Sequence, residues 1–214
     1  MSGYSLEHII NECVREKSRN LAPDTKRDQY VETWNGLNQW IMSRLNRQKG
    51  AEISFIGTFT WEVKKEEDGT LSTRPLFLMS DSFVKDFSVK RQRVHYAPKT
   101  VPNEPCNFSR IAIKYTKSLT KDMVFACVRD LCRKIGDFCA RGYEFQIPFT
   151  MGLLRCKERR IRFDFDPSAL GSASGLSSTQ AHMALEELEA ELSKEDASLP
   201  PTARSDVSAV SAVP

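Results

Sequence analysis

No apolar run in this sequence approaches the roughly 18 residues of a membrane-spanning helix, and the first residues carry no signal-peptide pattern. Both absences lead us to expect a soluble intracellular chain with no membrane partner. There is no C-x-x-C pair either. Cys13, Cys106, Cys127, Cys132, Cys139 and Cys156 are scattered, and His8, His95 and His182 lie far from them in sequence. That spacing favours reduced, partly buried thiols over a metal centre. A phosphate-binding glycine loop, a nucleophile elbow and an H-E-x-x-H motif are all missing. Asp164 and Asp166 have the spacing of paired carboxylates, but a solvent-facing strand end accounts for them. The expectation is a protein without catalytic residues, metal or cofactor, and not an enzyme.

What is present is enough to fold. The 40% hydrophobic content of the 214 residues supports a real core, in two small domains or one larger one. The net charge of +3 hides an asymmetry. Residues 168–214 hold Lys194 and Arg204 against Glu186, Glu187, Glu189, Glu191, Glu195, Asp196 and Asp206, a net of −5, which leaves +8 on residues 1–167. A basic body with an acidic tail suits a nucleic-acid binder or a binder of acidic protein surfaces.

Leu6, Ile9, Ile10, Cys13 and Val14 recur at helical spacing, so residues 4–19 are predicted as a helix with Ser5 as its N-cap. After Pro23-Asp24 a second helix carries the stripe Val31, Trp34, Leu37, Ile41 and Leu45, ending at Lys49-Gly50. Trp34 belongs to that stripe and to the core; Trp40 lies partly off it and is the better candidate for an exposed contact. Ile53, Phe55, Gly57, Phe59, Trp61 and Val63 share one parity, the period of a half-buried strand, with Gly57 marking a bulge or close approach. Arg74–Met79 is a second strand after Asp68-Gly69, and Phe83, Val84, Phe87 and Val89 suggest a short helix packing back. Lys90 to Lys99 is a basic stretch with Arg91 and Arg93, a solvated connector or a patch for phosphate or acidic protein. Pro98, Pro102 and Pro105 make residues 97–106 extended, and the domain boundary is set there.

The plan then repeats. Residues 109–115 alternate like a strand, and Thr120 can cap a helix through Met123, Val124, Cys127, Val128, Leu131, Ile135 and Phe138, ending near Arg141-Gly142. Tyr143–Phe149 leads to Gly152, in the place of Gly57, and Arg160–Phe165 closes the copy as a strand after the short turn Lys157-Glu158-Arg159. The second copy carries a basic cluster of Arg155, Lys157, Arg159, Arg160 and Arg162. Beyond Pro167 a small, polar linker precedes a helix candidate at 180–194 with Leu185, Leu188 and Leu192 on one side, then a Ser-, Ala- and Pro-rich end expected to be disordered.

Ile56-Gly57-Thr58-Phe59-Thr60 followed by a ribbon and Arg74-Pro75-Leu76-Phe77 resembles the core of the bacterial histone-like HU/IHF fold. With Trp34, Lys49-Gly50, Ile53, Tyr96, Pro102 and Asn107-Phe108 the string resembles the paired HU-like domains of the coiled-coil domain-containing protein 81 family, over roughly residues 5–166. The resemblance implies an α+β chain with a first HU-like domain at 1–97, a connector at 98–107, a second domain at 108–167 and an acidic tail at 168–214. It also implies that the two units pack on each other in place of a homodimer. Gly57, Thr58, Phe59 and Gly152 are its fold-motif residues.

The resemblance further implies a cytoskeletal setting: centrosome, basal body or ciliary axoneme, inside doublet microtubules against tubulin or neighbouring filament proteins. The alternative is nucleic-acid binding. HU/IHF proteins grip DNA with two basic ribbons whose tips wedge a proline between base steps, combining phosphate neutralisation with minor-groove insertion. Here the ribbon from Trp61 to Pro75 sets Lys64, Lys65 and Arg74 against Glu62, Glu66, Glu67 and Asp68, and its tip, Glu67-Asp68-Gly69-Thr70, has no proline. An acidic tip is repelled by phosphates, so the fold carries over and the DNA grip does not. The candidate partner-binding residues are Lys90, Arg91, Arg93, Arg155, Arg159, Arg160, Arg162, Leu185, Leu188 and Leu192.

Overall fold

The computed structural model of the chain describes residues 3–17, 22–65, 71–90 and 98–170. In the first half β1 (Tyr4–Ser5) runs straight into α1 (Leu6–Lys17), followed by α2 (Pro23–Leu45), β2 (Gly50–Ile53), β3 (Gly57–Lys65), β4 (Leu71–Met79) and α3 (Asp81–Asp86). The second half repeats the order with β5 (Asn103–Pro105), α4 (Phe108–Tyr115), α5 (Lys121–Ala140), β6 (Phe145–Phe149), β7 (Gly152–Lys157), β8 (Arg160–Phe165) and α6 (Pro167–Leu170). The fold is α+β, with the same order of elements twice in tandem, as the sequence predicts.

Local chemistry sets the helix starts. Pro23 occupies the first turn of α2, where its missing N–H costs nothing. Side-chain oxygens of Ser80, Asn107 and Thr120 accept the N–H groups of Phe83, Arg110 and Met123, capping α3, α4 and α5. Ser5 instead lies in β1, with its hydroxyl 2.8 Å from His8 Nδ1.

The strand orders are β4-β3-β2-β5 and β1-β6-β7-β8, so neither sheet is built from one half alone. β1 pairs in parallel with β6, Tyr4 opposite Phe145; β5 pairs in parallel with β2, Ala51 opposite Glu104. Each half's leading strand thus completes the other half's sheet. The helices interlock in the same sense, with α1 packing on α2 and α5, and α4 on α5 and α2. A single buried cluster runs through both halves, from Ile9, Leu37 and Phe59 to Leu131, Phe145 and Leu154. Across it Phe59, Phe77, Phe149 and Phe163 meet at centroid distances of 4.7–5.9 Å.

Several elements differ from expectation for identifiable reasons. Residues 53–63 are a tight hairpin and not one strand: Ile53 faces Gly57 across a turn at 54–56. Residues 109–115 are helical, because Phe108, Ile111, Ala112 and Tyr115 form an inward face while Ile113 stays 85% exposed. Trp40 is buried (1% exposed) and Val31 is 37% exposed, reversing their expected roles. α2 touches α1, α4, α5, β2 and β3, so it is enclosed on more than one side and a single stripe cannot describe it. Lys49-Gly50 follows the helix rather than ending it, since Gly50 already opens β2. The extended residues 98–107 are a working part of the first sheet: Val101 N–H donates to Trp61 and Val63 N–H to Lys99 before β5 begins.

Both proposed glycine echoes hold. Gly57 and Gly152 have φ of 151° and 152°, and a Cβ at either would collide with a carbonyl oxygen of the neighbouring strand, Leu78 or Asp164. β5 is secured by Glu104, which accepts from Arg44 at 2.5 Å and Lys49 at 2.9 Å. Arg44 is almost wholly buried, its side chain 4% exposed. Hydrogen bonds from Lys49 and then Arg44 hold the Glu104 carboxyl below its usual 4.5.

Gly57→Ala and Gly152→Ala should each cost about 2–4 kcal/mol of unfolding free energy, seen as a lower denaturant midpoint. Glu104→Gln leaves the buried Arg44 charge without its partner and should cost about 2 kcal/mol, below the fully buried limit because solvent reaches Glu104. Because the folded-state pKa of Glu104 is depressed, its stabilisation is fully present above 4.5 and lost as pH falls through the lower folded value. Acid titration of wild type against Glu104→Gln should show the difference shrinking in that range.

Candidate partner-binding face

Alternation along the β7–β8 hairpin divides its side chains between core and solvent. Leu154, Cys156 and Ile161 point inward and are buried; Arg155, Lys157, Arg160, Arg162 and Asp164 are exposed. Cross-strand register sets Arg155 opposite Arg162 and Lys157 opposite Arg160. Four cations therefore stand in two facing pairs on one rigid surface. Arg155 Nε reaches Asp164 Oδ2 at 2.9 Å, while among the described residues no carboxylate pairs with Lys157, Arg160 or Arg162. Like charges directly opposite are unfavourable in a sheet, so this surface is electrostatically unfinished. Lys157 stands in the sequence's basic cluster but not among its partner-binding candidates, and strand parity makes it a full member of this face.

Arg159 belongs elsewhere. It closes the hairpin with Glu158, both at positive φ (52° and 63°), the conformation of a two-residue turn matched to strand twist. Its guanidinium Nη2 donates to the Ser88 carbonyl at 2.6 Å, and its own carbonyl accepts from Lys90 N–H at 2.8 Å. Arg159 is thus a clamp joining the end of the first half to the second hairpin, and it brings the exposed Lys90 beside the basic face. Phe87 strengthens the same junction by packing where a side chain at Gly136 would stand.

The fold-motif residues hold positions and offer no surface: Phe59 is fully buried, Thr58 half-buried, and Gly57 and Gly152 shape their hairpins. On the first ribbon Glu62 is buried and ion-paired with Arg74 across the strands, so that cation is neutralised locally. Arg91, Arg93, Tyr96, the ribbon tip at 66–70, and Leu185, Leu188 and Leu192 with the 180–194 helix and the tail lie outside the described residues.

The six cysteines are free. Burial pushes the Cys13 and Cys106 thiols up to about 12 and also raises Cys127 and Cys132. Cys139 and Cys156 share a hydrogen bond that raises Cys156 further. The same bond lowers Cys139, whereas the five thiols that are raised are poor nucleophiles and poor metal ligands. Among the described residues no group of three or more His, Cys, Asp or Glu side chains is placed to hold a metal ion. A polar groove between α1 and α5 is internally balanced, its Arg133, Lys134 and Arg141 facing Glu16, Asp130 and Asp137.

Residues 7–91 match the family described as CCDC81 eukaryotic HU domain 1, and residues 102–175 match CCDC81 eukaryotic HU domain 2. The chain belongs to the CCDC81 family. The second CCDC81 match begins just before β5, the strand that this chain lends to its first sheet, and the first match begins just after β1.

Replacing Arg160 and Arg162 with Glu should raise the unfolding midpoint slightly, by up to about 1 kcal/mol, because each Glu would face a cation across the strands where a like charge stood. Arg159→Ala should cost about 1 kcal/mol through loss of its charge-assisted bond to Ser88. Chemical denaturation of the two variants separates surface cations from the clamp.

Proposed function

We propose that this protein is a non-enzymatic structural or adaptor component of the microtubule cytoskeleton, in a ciliary axoneme, basal body or centrosome, that binds tubulin or a neighbouring filament protein. The observation that supports it best is the exposed row of Arg155, Lys157, Arg160 and Arg162 on a rigid sheet face. A flat array of cations, three of them without a carboxylate partner among the described residues, complements an acidic protein surface and steers encounter with it. The cytoskeletal setting comes from the family resemblance, and the tubulin surface supplies the acidic chemistry. The acidic partner meets the basic face first, and retention in high salt requires contacts beyond those ion pairs.

The alternative reading, nucleic-acid binding, draws on the same four cations. It lacks a second arm, because the second hairpin ends at Glu158-Arg159 and is pinned to Ser88 and Lys90.

The deciding experiment is fractionation of cells after detergent and high-salt extraction. The protein should remain with axonemes or microtubules, since exposed ion pairs alone would be screened. Arg160→Glu with Arg162→Glu should reduce incorporation. Recovery with chromatin, released in proportion to salt, would replace this reading with the nucleic-acid one.

A further inference from the structure

We infer that the acidic segment of residues 186–196 docks on the basic outer face of β7 and β8 in the same molecule, screening that face until an acidic partner displaces it. The inference rests on the reading of that face as the partner site. Three observations carry it.

The first is the uncompensated charge just described: Lys157, Arg160 and Arg162 have no carboxylate partner among the described residues, and they face one another or Arg155. An anionic occupant removes a repulsion built into the strand register. The second is complementarity. Glu186, Glu187, Glu189, Glu191, Glu195 and Asp196 fall within one short stretch that contains a single cation, Lys194. The competing basic groove between α1 and α5 already contains its own carboxylates and offers no such gain.

The third is reach. The described chain ends at Leu170, in the short helix α6 that follows β8 directly and is held to the sheet by Asp166 N–H donating to Met151. Fifteen residues lie between Leu170 and Glu186. A chain of that length reaches at most about 50 Å. The six residues of β8 span about 20 Å. The face lies within that reach, so the segment competes for it as part of the same molecule, at an effective concentration on the order of millimolar. An intrinsically weak ionic contact is then substantially occupied.

The test uses the full chain and a variant carrying Glu186→Gln, Glu187→Gln, Glu189→Gln and Glu191→Gln. Backbone and Arg Nε–H resonances of residues 153–164 should shift between the two at low salt, and the difference should disappear at about 0.5 M salt. Arg160→Glu with Arg162→Glu in the wild-type background should abolish the same tail dependence. Identical spectra for wild type and tail variant at low salt overturn the inference. A polyglutamate peptide of about ten residues, titrated into both, should bind the tail variant about tenfold more tightly. Equal binding to both also overturns the inference while leaving the basic face as a partner site. Binding to neither, with the tail-dependent shifts present, supports docking and counts against the partner reading.

Discussion

Pairing of β1 with β6 and of β5 with β2 makes each half of the chain a structural part of the other, and the rest of the molecule depends on that exchange. A lone half would lose one strand of its sheet and expose the helix faces that the other half covers, and chains of that size have little core to spare. The exchange also explains why the linking residues are not a passive tether. Residues 99–105 satisfy backbone groups along β3 and β2, and Glu104 completes the charge of a buried arginine. Further bonds cross between halves from α2: Trp34 Nε1 donates to Pro148, and Asn38 Oδ1 accepts from Thr150. Pro148 is tolerated within β6 because β1 reaches only Gln146, so no N–H is required beyond it on that edge. Joining the halves covalently makes their association independent of protein concentration, unlike that of a homodimer.

Charge is distributed by the same architecture. Basic residues near the junctions are consumed internally: Arg44 by Glu104, Arg74 by Glu62, Lys134 by Glu16, and Arg159 by the Ser88 carbonyl. The overall excess of cations in residues 1–167 therefore does not spread evenly. One place where cations carry no such duty is the β7–β8 face, where each strand presents alternate residues to solvent. This separates the β7–β8 face from the α1–α5 groove, where three cations stand with three carboxylates.

Much of this was legible in the sequence. The repeated order of elements, the glycines at 57 and 152, the Thr120 cap and the stripe through Val124, Cys127 and Leu131 all follow from local rules that the structure obeys. Interpretation failed where one local pattern admits two structures, or where burial is decided by distant chain. Ile111, Ile113 and Tyr115 alternate, yet Asn107 caps a helix whose face uses other spacings. Trp40 is off the stripe of α2 but is covered because α2 lies between the sheet and three other helices. The strand exchange left no signal of its own, since a two- or three-residue strand has no period to detect. Of the candidate site, the cations were visible and their division was not. Arg159 is set apart from its neighbours by its place in the turn and by contacts with Ser88 and Lys90, about seventy positions away.

The two hairpins have diverged from a common plan, and that asymmetry bears on the choice of partner. β3 and β4 pair over nine positions, from Gly57–Met79 to Lys65–Leu71, whereas β7 and β8 pair over six before Glu158-Arg159 closes them. A clamp on DNA of the kind used by HU/IHF proteins needs two equivalent arms related by the dimer axis. In this chain the shorter hairpin cannot swing as an arm, because its turn is held by Ser88 and Lys90. Its cations are presented on the flat of the sheet and not at a tip. Phosphate chemistry does not require a flat array of fixed spacing, since backbone contacts mainly count charges and follow a groove. A folded protein surface with acidic side chains at set positions gains from such rigidity, because no ordering entropy is lost when the face engages.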